Sequence, residues 1–364
     1  MNKAIWFMEG LSSQRDIVQS VIEIRESRNL TFTVIASHRS TRPEITSVAD
    51  ISLREPKADA DRLCFIAEVV AVHNVVAIQA GRNCTWFEEN RLAIEAMGVS
   101  LTTGATSLDM FALADDKVRF ARFMEQHQLP VVHSTQINSS AELQKLLQAG
   151  NEDQNGVLQC IKPVTGIYGL GFWILDWVAK PMAAFDNPDN RRVHPSIYLE
   201  AMQAEEDRNQ QSGKKEWSEP MVLMPYLPGP ERSVDMLVEK GKVIAAVVRR
   251  KEGPLQYMEQ AGEAFELGKA CAEIMQADGL INVQTRNDTT GKPVLLEINM
   301  RPSGGICYTR ATGVNLPGIF ALRQLGLIDQ QTAADMSRDT YSPAVVRSVT
   351  SVIPLPSATP VEAE

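Results

Sequence analysis

The sequence predicts an α/β protein with α+β parts, and three observations carry that prediction. Between Ala4 and Met97, apolar strand-like runs alternate with stretches of helical spacing, which argues for βαβ units and a parallel sheet. Past residue 220 the strand-like runs come in neighbouring pairs joined by turn formers, which argues for antiparallel hairpins. Between these regions sits a cluster of three glycines in six residues, Gly166, Gly169 and Gly171. A chain of 364 residues implies two or three domains at roughly 150 residues each.

The elements follow in order. Ala4 to Met8 reads as a buried first strand that ends at Glu9-Gly10. Gln14 to Asn29 is helical, with Ile17, Val18, Val21, Ile22 and Ile24 on its apolar stripe. Leu30 to Ala36 is a second strand, Ala60 to His73 a second helix, and Val75 to Gln79 a third strand. Phe87 to Met97 forms one helix that stops at Gly98. No Gly-x-Gly-x-x-Gly follows the first strand, so the dinucleotide fingerprint is absent. Gly81-Arg82-Asn83 lies just past a strand's carboxyl end, where ligands of open α/β sheets dock, although an ordinary βα turn reads the same way.

Ser107-Leu108-Asp109 opens a helical stretch that runs through Asp115-Asp116-Lys117 to Met124. Ser139 to Ala149 is a capped helix. Val157 to Pro163 is a strand carrying Lys162, and the glycine cluster follows it. Ala184 to Glu219 is polar, with a helix at Ser196 to Gln210 and a loop at Gln211 to Glu216. Met221 to Leu227 is an apolar strand broken by Pro228-Gly229-Pro230. Glu231 to Val238 and Lys242 to Arg249 pair as a hairpin. Gly262 to Ala277 is helical. Leu280 to Arg286 and Val294 to Ile298 form a second hairpin around Asn287 to Pro293. A final helix spans Gly318 to Leu325, and the chain past Thr340 is Pro/Ser/Ala-rich and acidic, with its last ten residues loose.

Two stretches carry chemistry. Strand alternation puts Glu297 and Asn299 on one face, with Gln284 on the partner strand, so the second hairpin gathers an all-oxygen ligand set. Hard cations such as Mg²⁺ take oxygen ligands and keep waters and phosphate oxygens as the rest. Arg301, two residues on, suits phosphate with its planar fork. The glycine cluster lets backbone N–H groups approach an anion, and Lys162 on the preceding strand adds a point charge. The pattern is not a Walker loop. Arg249 to Lys251 is a short basic run fit for a small anion.

Composition excludes several classes. A formal net charge of −9 disfavours nucleic-acid or anionic-membrane surfaces. Five scattered cysteines without a Cys-x-x-Cys pair predict reduced thiols, no zinc site and no disulfide framework. No apolar run approaches the roughly 20 residues of a membrane helix. The expectation is a cytoplasmic protein.

Taken together, Asp116-Lys117, Lys162-Pro163 with the glycines, Leu227-Pro-Gly-Pro-Glu231, and Gln284 with Glu297-Ile-Asn299-Met-Arg301 occur in the order seen in the ATP-grasp superfamily. The chain resembles that superfamily over residues 4–326, especially the carbamoyl-phosphate synthetase large-subunit branch and amino-acid ligases. The resemblance implies an N-terminal pre-ATP-grasp parallel α/β domain (1–108), a small central lid domain (109–220), a C-terminal antiparallel α+β domain (221–340) and a tail (341–364).

It also implies roles. Lys117 and Lys162 hold ATP phosphates under a lid from Gly169 through Leu170 to Gly171. Met224 to Leu227, Tyr226 included, form the adenine hinge, with Leu227 packing on the base. Glu231 takes the ribose hydroxyls. Gln284, Glu297 and Asn299 bind Mg²⁺ (or Mn²⁺), Arg301 steadies the γ-phosphoryl, and Arg249 or Arg250 grips a substrate carboxylate or acyl phosphate. Two departures stand out. Met224 sits where many relatives carry an acid, and Gln284 where many carry Asp, although the carbamoyl-phosphate branch also uses Gln. The 184–219 stretch is longer than the resemblance explains.

The implied reaction joins a small carboxylic acid to an amine through an acyl phosphate, releasing ADP and phosphate. Positioning and charge neutralisation carry such chemistry, and His38, His73, His127, His133 and His194 are read as structural or surface groups. Bicarbonate activation is the alternative within the fold. It is disfavoured because Ser303-Gly304-Gly305 stands where that branch carries a second arginine, and because no biotin-carrier segment is present. A nucleotide-binding module without turnover is the alternative outside catalysis. A homodimer is the expectation for a soluble enzyme.

Overall fold

The computed structural model describes residues 2–82, 84–152, 158–166, 170–212, 220–349 and 352, with side chains 150–152 left aside. Two compact units emerge, one of Met1–Phe111, Pro230–Thr285 and Ile298–Glu364, the other of Ala112–Gly229 and Arg286–Glu297.

In the first unit, β1 (Ala4–Met8), β2 (Thr33–His38), β3 (Ile51–Arg54), β4 (Val75–Ala80) and β5 (Ser100–Thr102) form a sheet in the order β3-β2-β1-β4-β5. Every pairing is parallel. All five residues of β1 are buried because both faces are covered, which is why the run reads as uniformly apolar. Ile5 and Phe7 join Ile17, Val18 and Val21 of the Gln14–Ser27 helix. Trp6 and Met8 point the other way, toward Ile66 and Val69 of the Arg62–His73 helix. The stretch expected as one helix over 87–97 divides into Cys84–Glu89 and Arg91–Glu95, with the Asn90 amide donating to the Trp86 carbonyl at 2.8 Å. Asn83 lies outside the described residues.

In the second unit, β6 (Thr135–Ile137), β7 (Gln159–Pro163), β8 (Trp173–Leu175), β9 (Arg192–Val193) and β10 (Met221–Pro225) form a mixed sheet in the order β6-β10-β7-β8-β9. Its pairings are antiparallel except that of β8 with β9. The helices Ser140–Glu152 and Pro195–Gln211 pack on one side through Leu143, Leu147 and Met202. Ser139 Oγ accepts from Glu142 N at 3.1 Å, as its capping sequence predicts, and His194 caps the second helix by accepting from Ser196 N. Part of the polar 184–219 stretch is therefore the outer cover of this sheet, and residues 213–219 lie outside the described ones.

A third sheet comprises β11 (Glu231–Glu239), β12 (Lys242–Glu252), β13 (Leu255–Glu259), β14 (Gly279–Asn287), β15 (Pro293–Asn299) and β16 (Val345–Arg347), in the order β15-β14-β11-β12-β13-β16. Lys240 and Gly241 both adopt positive φ, 47° and 82°, in the two-residue turn between β11 and β12. Such a turn matches the twist of its strands. Beyond the helix Leu316–Gln324, expected as the last, a further helix spans Gln330–Thr340, capped by Asp329 through Thr332 N. The chain past Thr340 then adds β16 to the sheet edge by pairing with β13. The last ten residues lie outside the described ones.

Candidate active site

Lys117 is the first residue of the helix Lys117–Gln126, and Asp116 puts it there. Asp116 is extended (φ −92°, ψ 102°), and its carboxylate accepts from Val118 N at 3.0 Å and Arg119 N at 2.9 Å. The helical stretch expected as continuous breaks at this cap, and the preceding helix ends at Asp115. Lys117 is 7% exposed, and its Nζ donates to the Val164 carbonyl at 3.0 Å and the Gly166 carbonyl at 3.4 Å. The lysine thus reaches the chain segment that opens the glycine cluster.

Lys162 comes from β7, opposite Val222 of β10. Its Nζ stands 3.7 Å from Glu297 Oε2, with both side chains partly exposed. Burial lowers the pKa of Lys117, the nearby Lys162 ammonium lowers it further, and Glu297 opposes both. The ammonium groups of Lys117 and Lys162 and the Glu297 carboxylate therefore share this corner of the second unit, with Asp115 and Asp116 also acting on Lys117. The two ammonium groups are suited to an anion, and Glu297 offers an oxygen to a cation that arrives with it.

Beside these charges lies an apolar patch. Met224 and Leu227 are 4% and 8% exposed and pack with Val118, Val132, Cys160 and Val164, while Leu296 closes one side. The Tyr226 amide is engaged, donating to the Leu158 carbonyl at 2.7 Å, and the Tyr226 ring lies 5.4 Å from the Arg286 guanidinium. Burial pushes the Cys160 thiol up to about 11, so it remains a neutral wall group. In the glycine cluster Leu170 is 66% exposed and Gly171 has φ +70°. Gly169 lies outside the described residues.

The other expected site residues belong to the first unit. Gln284 is half-buried on β14, two residues from Asn282, whose Nδ2 donates to Asp235 Oδ1 at 3.0 Å. Asn282 and Gln284 therefore share the sheet face of Asp235. On that face Glu231, Ser233 and Asp235 of β11 stand opposite Lys251, Arg249 and Val247 of β12. Glu231 is ion-paired with Lys251. Glu297 and Asn299 project from the same side of β15 by alternation, and both are half-buried, as is Arg301.

The basic run behaves differently from the expectation of an open anion grip. Arg249 is 3% exposed, and Nε donates to Asp235 at 2.5 Å, Nη1 to Gln256 at 2.7 Å and Nη2 to Ser303 at 2.8 Å. Arg250 Nε donates to Glu259 at 2.5 Å, and its guanidinium lies 4.6 Å from the Tyr257 ring centre. Both forks are already matched to carboxylates. Sequence reasoning missed Asp235, Asn282, Gln256 and Ser303. The polar Ser233 and Asp235, alternating with Val234 and Met236 on the strand, were the available signal.

Residues 217–350 match a family described as ATP-grasp in the biosynthetic pathway with Ter operon. No curated protein matches the chain by sequence. Among solved structures, an L-amino acid ligase from Bacillus licheniformis superposes with a TM-score of 0.57 at 14% identity, over 89% of this chain and 74% of that one. A biotin carboxylase from Campylobacter jejuni gives 0.58 at 15% identity, over 92% and 73%. An N5-carboxyaminoimidazole synthetase from Staphylococcus aureus, complexed with ADP, gives 0.58 at 13% identity, over 89% and 77%. Among the described residues no helix is long and apolar enough to cross a membrane.

Proposed function

We propose that this chain, an ATP-grasp protein by fold, is an ADP-forming ligase that activates a small carboxylic acid with ATP and passes it to an amine. The observation that carries the reading is the corner where Lys117, Lys162 and Glu297 meet, with Lys162 3.7 Å from Glu297. Two lysine ammoniums with a carboxylate beside them fit a nucleotide triphosphate accompanied by Mg²⁺.

In this reading Lys117 and Lys162 bind the phosphates, and Leu170 and Gly171, with Gly169, cover them. Met224, Tyr226 and Leu227 receive the adenine against the buried apolar patch, and Glu231 takes the ribose. Gln284, Glu297 and Asn299 hold Mg²⁺ (or Mn²⁺), which supplies Lewis-acid neutralisation of phosphate charge when bound. Arg301 steadies the γ-phosphoryl while the acid's carboxylate attacks it. The amine then displaces phosphate from the acyl phosphate. Arg249, each of whose three nitrogens already donates within the protein, acts on this site through its neighbours. The functional division that goes with these roles is 1–108, 109–220, 221–340 and 341–364, in a cytoplasmic protein that works as a homodimer.

The test is ADP release across paired panels of acids and amines, run beside Glu297→Ala and Lys162→Ala. Release that needs both an acid and an amine, and that both substitutions abolish, supports the ligase. Two other results would replace it: labelled bicarbonate entering product points to the bicarbonate-activating alternative, and tight ATP binding without turnover in any mixture to a binding module. The Ser303-Gly304-Gly305 segment, without a second arginine, weighs against bicarbonate.

A further inference from the structure

Arg301 lies between two points where the chain is pinned. On one side the Met300 carbonyl presses on Gly104 so closely that a Cβ there would sit 1.9 Å from the oxygen. On the other side Ser303 is held by Arg249. Ser303 Oγ accepts from Arg249 Nη2 at 2.8 Å and from Gly305 N at 3.2 Å, so one hydroxyl ties the turn to itself and to β12. Arg249 is fixed in turn by Asp235, which is fully buried and also receives Asn282 of β14. Gly305 completes the fit, since a Cβ on it would lie 2.5 Å from Arg249 Nη1 and 2.7 Å from Cζ. Gly304 beside it faces open space.

We propose that the buried Asp235–Arg249–Ser303 bridge is a positioning device that sets the turn Pro302 to Gly305 and thereby the direction of Arg301. Arg249 is on this account a positioning residue rather than one that grips substrate. The fork geometry matters: Asp235, Gln256 and Ser303 each take a different nitrogen of the guanidinium, so a lysine, with one ammonium point, cannot satisfy all three. Asp235 also joins β11, β12 and β14 at the level of Asn282, two residues before Gln284, so the same bridge braces that strand. This deepens the ligase reading and rests on it for its kinetic consequence alone.

The experiment uses the full chain with Ser303→Ala, Ser303→Thr, Gly305→Ala and Gly304→Ala, none of which removes a buried charge. Hydrogen exchange at the 303–305 amides and Mg-ATP affinity are measured for each, and kcat and KM for ADP release wherever a substrate pair is found. Ser303→Ala and Gly305→Ala are expected to speed exchange and to lower kcat by on the order of a hundredfold, with ATP affinity within about twofold. Ser303→Thr keeps the hydroxyl and Gly304→Ala meets no neighbour, so both should track the parent. Unchanged exchange in Ser303→Ala, or a lost ATP affinity with kcat intact, overturns the proposal. If the parent releases no ADP in any mixture the ligase reading fails, and the exchange result alone then decides the positioning role.

Discussion

Lys162 and Glu297 are close, yet both are partly exposed, 14% and 25% by side chain. Exposed pairs contribute about 0–1 kcal/mol, so this one does little for stability. Its removal should therefore show in function. Glu297→Ala is expected to lower stability by about 1 kcal/mol or less, while Mg-dependent ADP release disappears; urea unfolding and the release assay read the two effects. A large loss of stability with activity retained would make Glu297 a structural group. At this scale the sequence was legible where chemistry follows local spacing. Glu297 and Asn299 share a strand face by alternation alone. Arg249 was not legible in this way, because its partners Gln256, Asp235 and Ser303 lie 7, 14 and 54 positions away. Nothing local tells an arginine bound to its own fold from one open to a ligand.

Among the elements, the helix start at Lys117 depends on one cap. Asp116→Ala removes acceptors for two backbone amides and should cost about 1 kcal/mol; it should also weaken Mg-ATP binding by loosening Lys117, measured by calorimetry against an exposed-site control such as Glu142→Ala. Equal ATP affinity in both variants would separate the cap from the site. A second element-level device joins the end of β11 to the last helices. Glu239 receives both forks of Arg323, at 2.7 and 2.8 Å, and Gln330 at 3.1 Å. The Arg323 hydrogen bonds lead the lowering of its pKa below the ordinary 4.5. A carboxylate depressed in the fold stabilises above its unfolded pKa, and that contribution fades as pH falls from about 4.5 through the lower folded value. Urea midpoints between pH 6 and 3 should fall less steeply for Glu239→Gln than for the parent, and parallel curves would exclude the linkage. Long periodic elements were readable from the sequence, but β3, β5 and β16 were not. Strands of three or four residues owe their existence to the neighbour they extend. The break at Asp116 was hidden for a related reason: helical spacing runs straight through it, and only the extended cap shows that it divides.

For the molecule as a whole, a net charge of −9 repels a triphosphate, so the proposed nucleotide binding would rest on local charge and on the cation that accompanies it. At physiological salt the long-range repulsion is screened beyond about 8 Å, which on the proposed reading leaves local groups such as Lys117 and Lys162 to set affinity. A ligand that binds only the folded chain stabilises it by about 2.7 kcal/mol at a hundredfold excess over Kd. Mg-ATP is thus expected to raise the thermal unfolding temperature by several degrees. ATP with EDTA should give a much smaller rise, because Glu297 then faces the phosphates without a cation between them. Lys162→Ala should give none. The three conditions together separate a metal-bridged triphosphate from adsorption of the base alone on the apolar patch around Met224 and Leu227. If ATP with EDTA stabilises as well as Mg-ATP, and Lys162→Ala matches the parent, the patch is the whole site, and a chain that holds only the base has no means of activating a carboxylate.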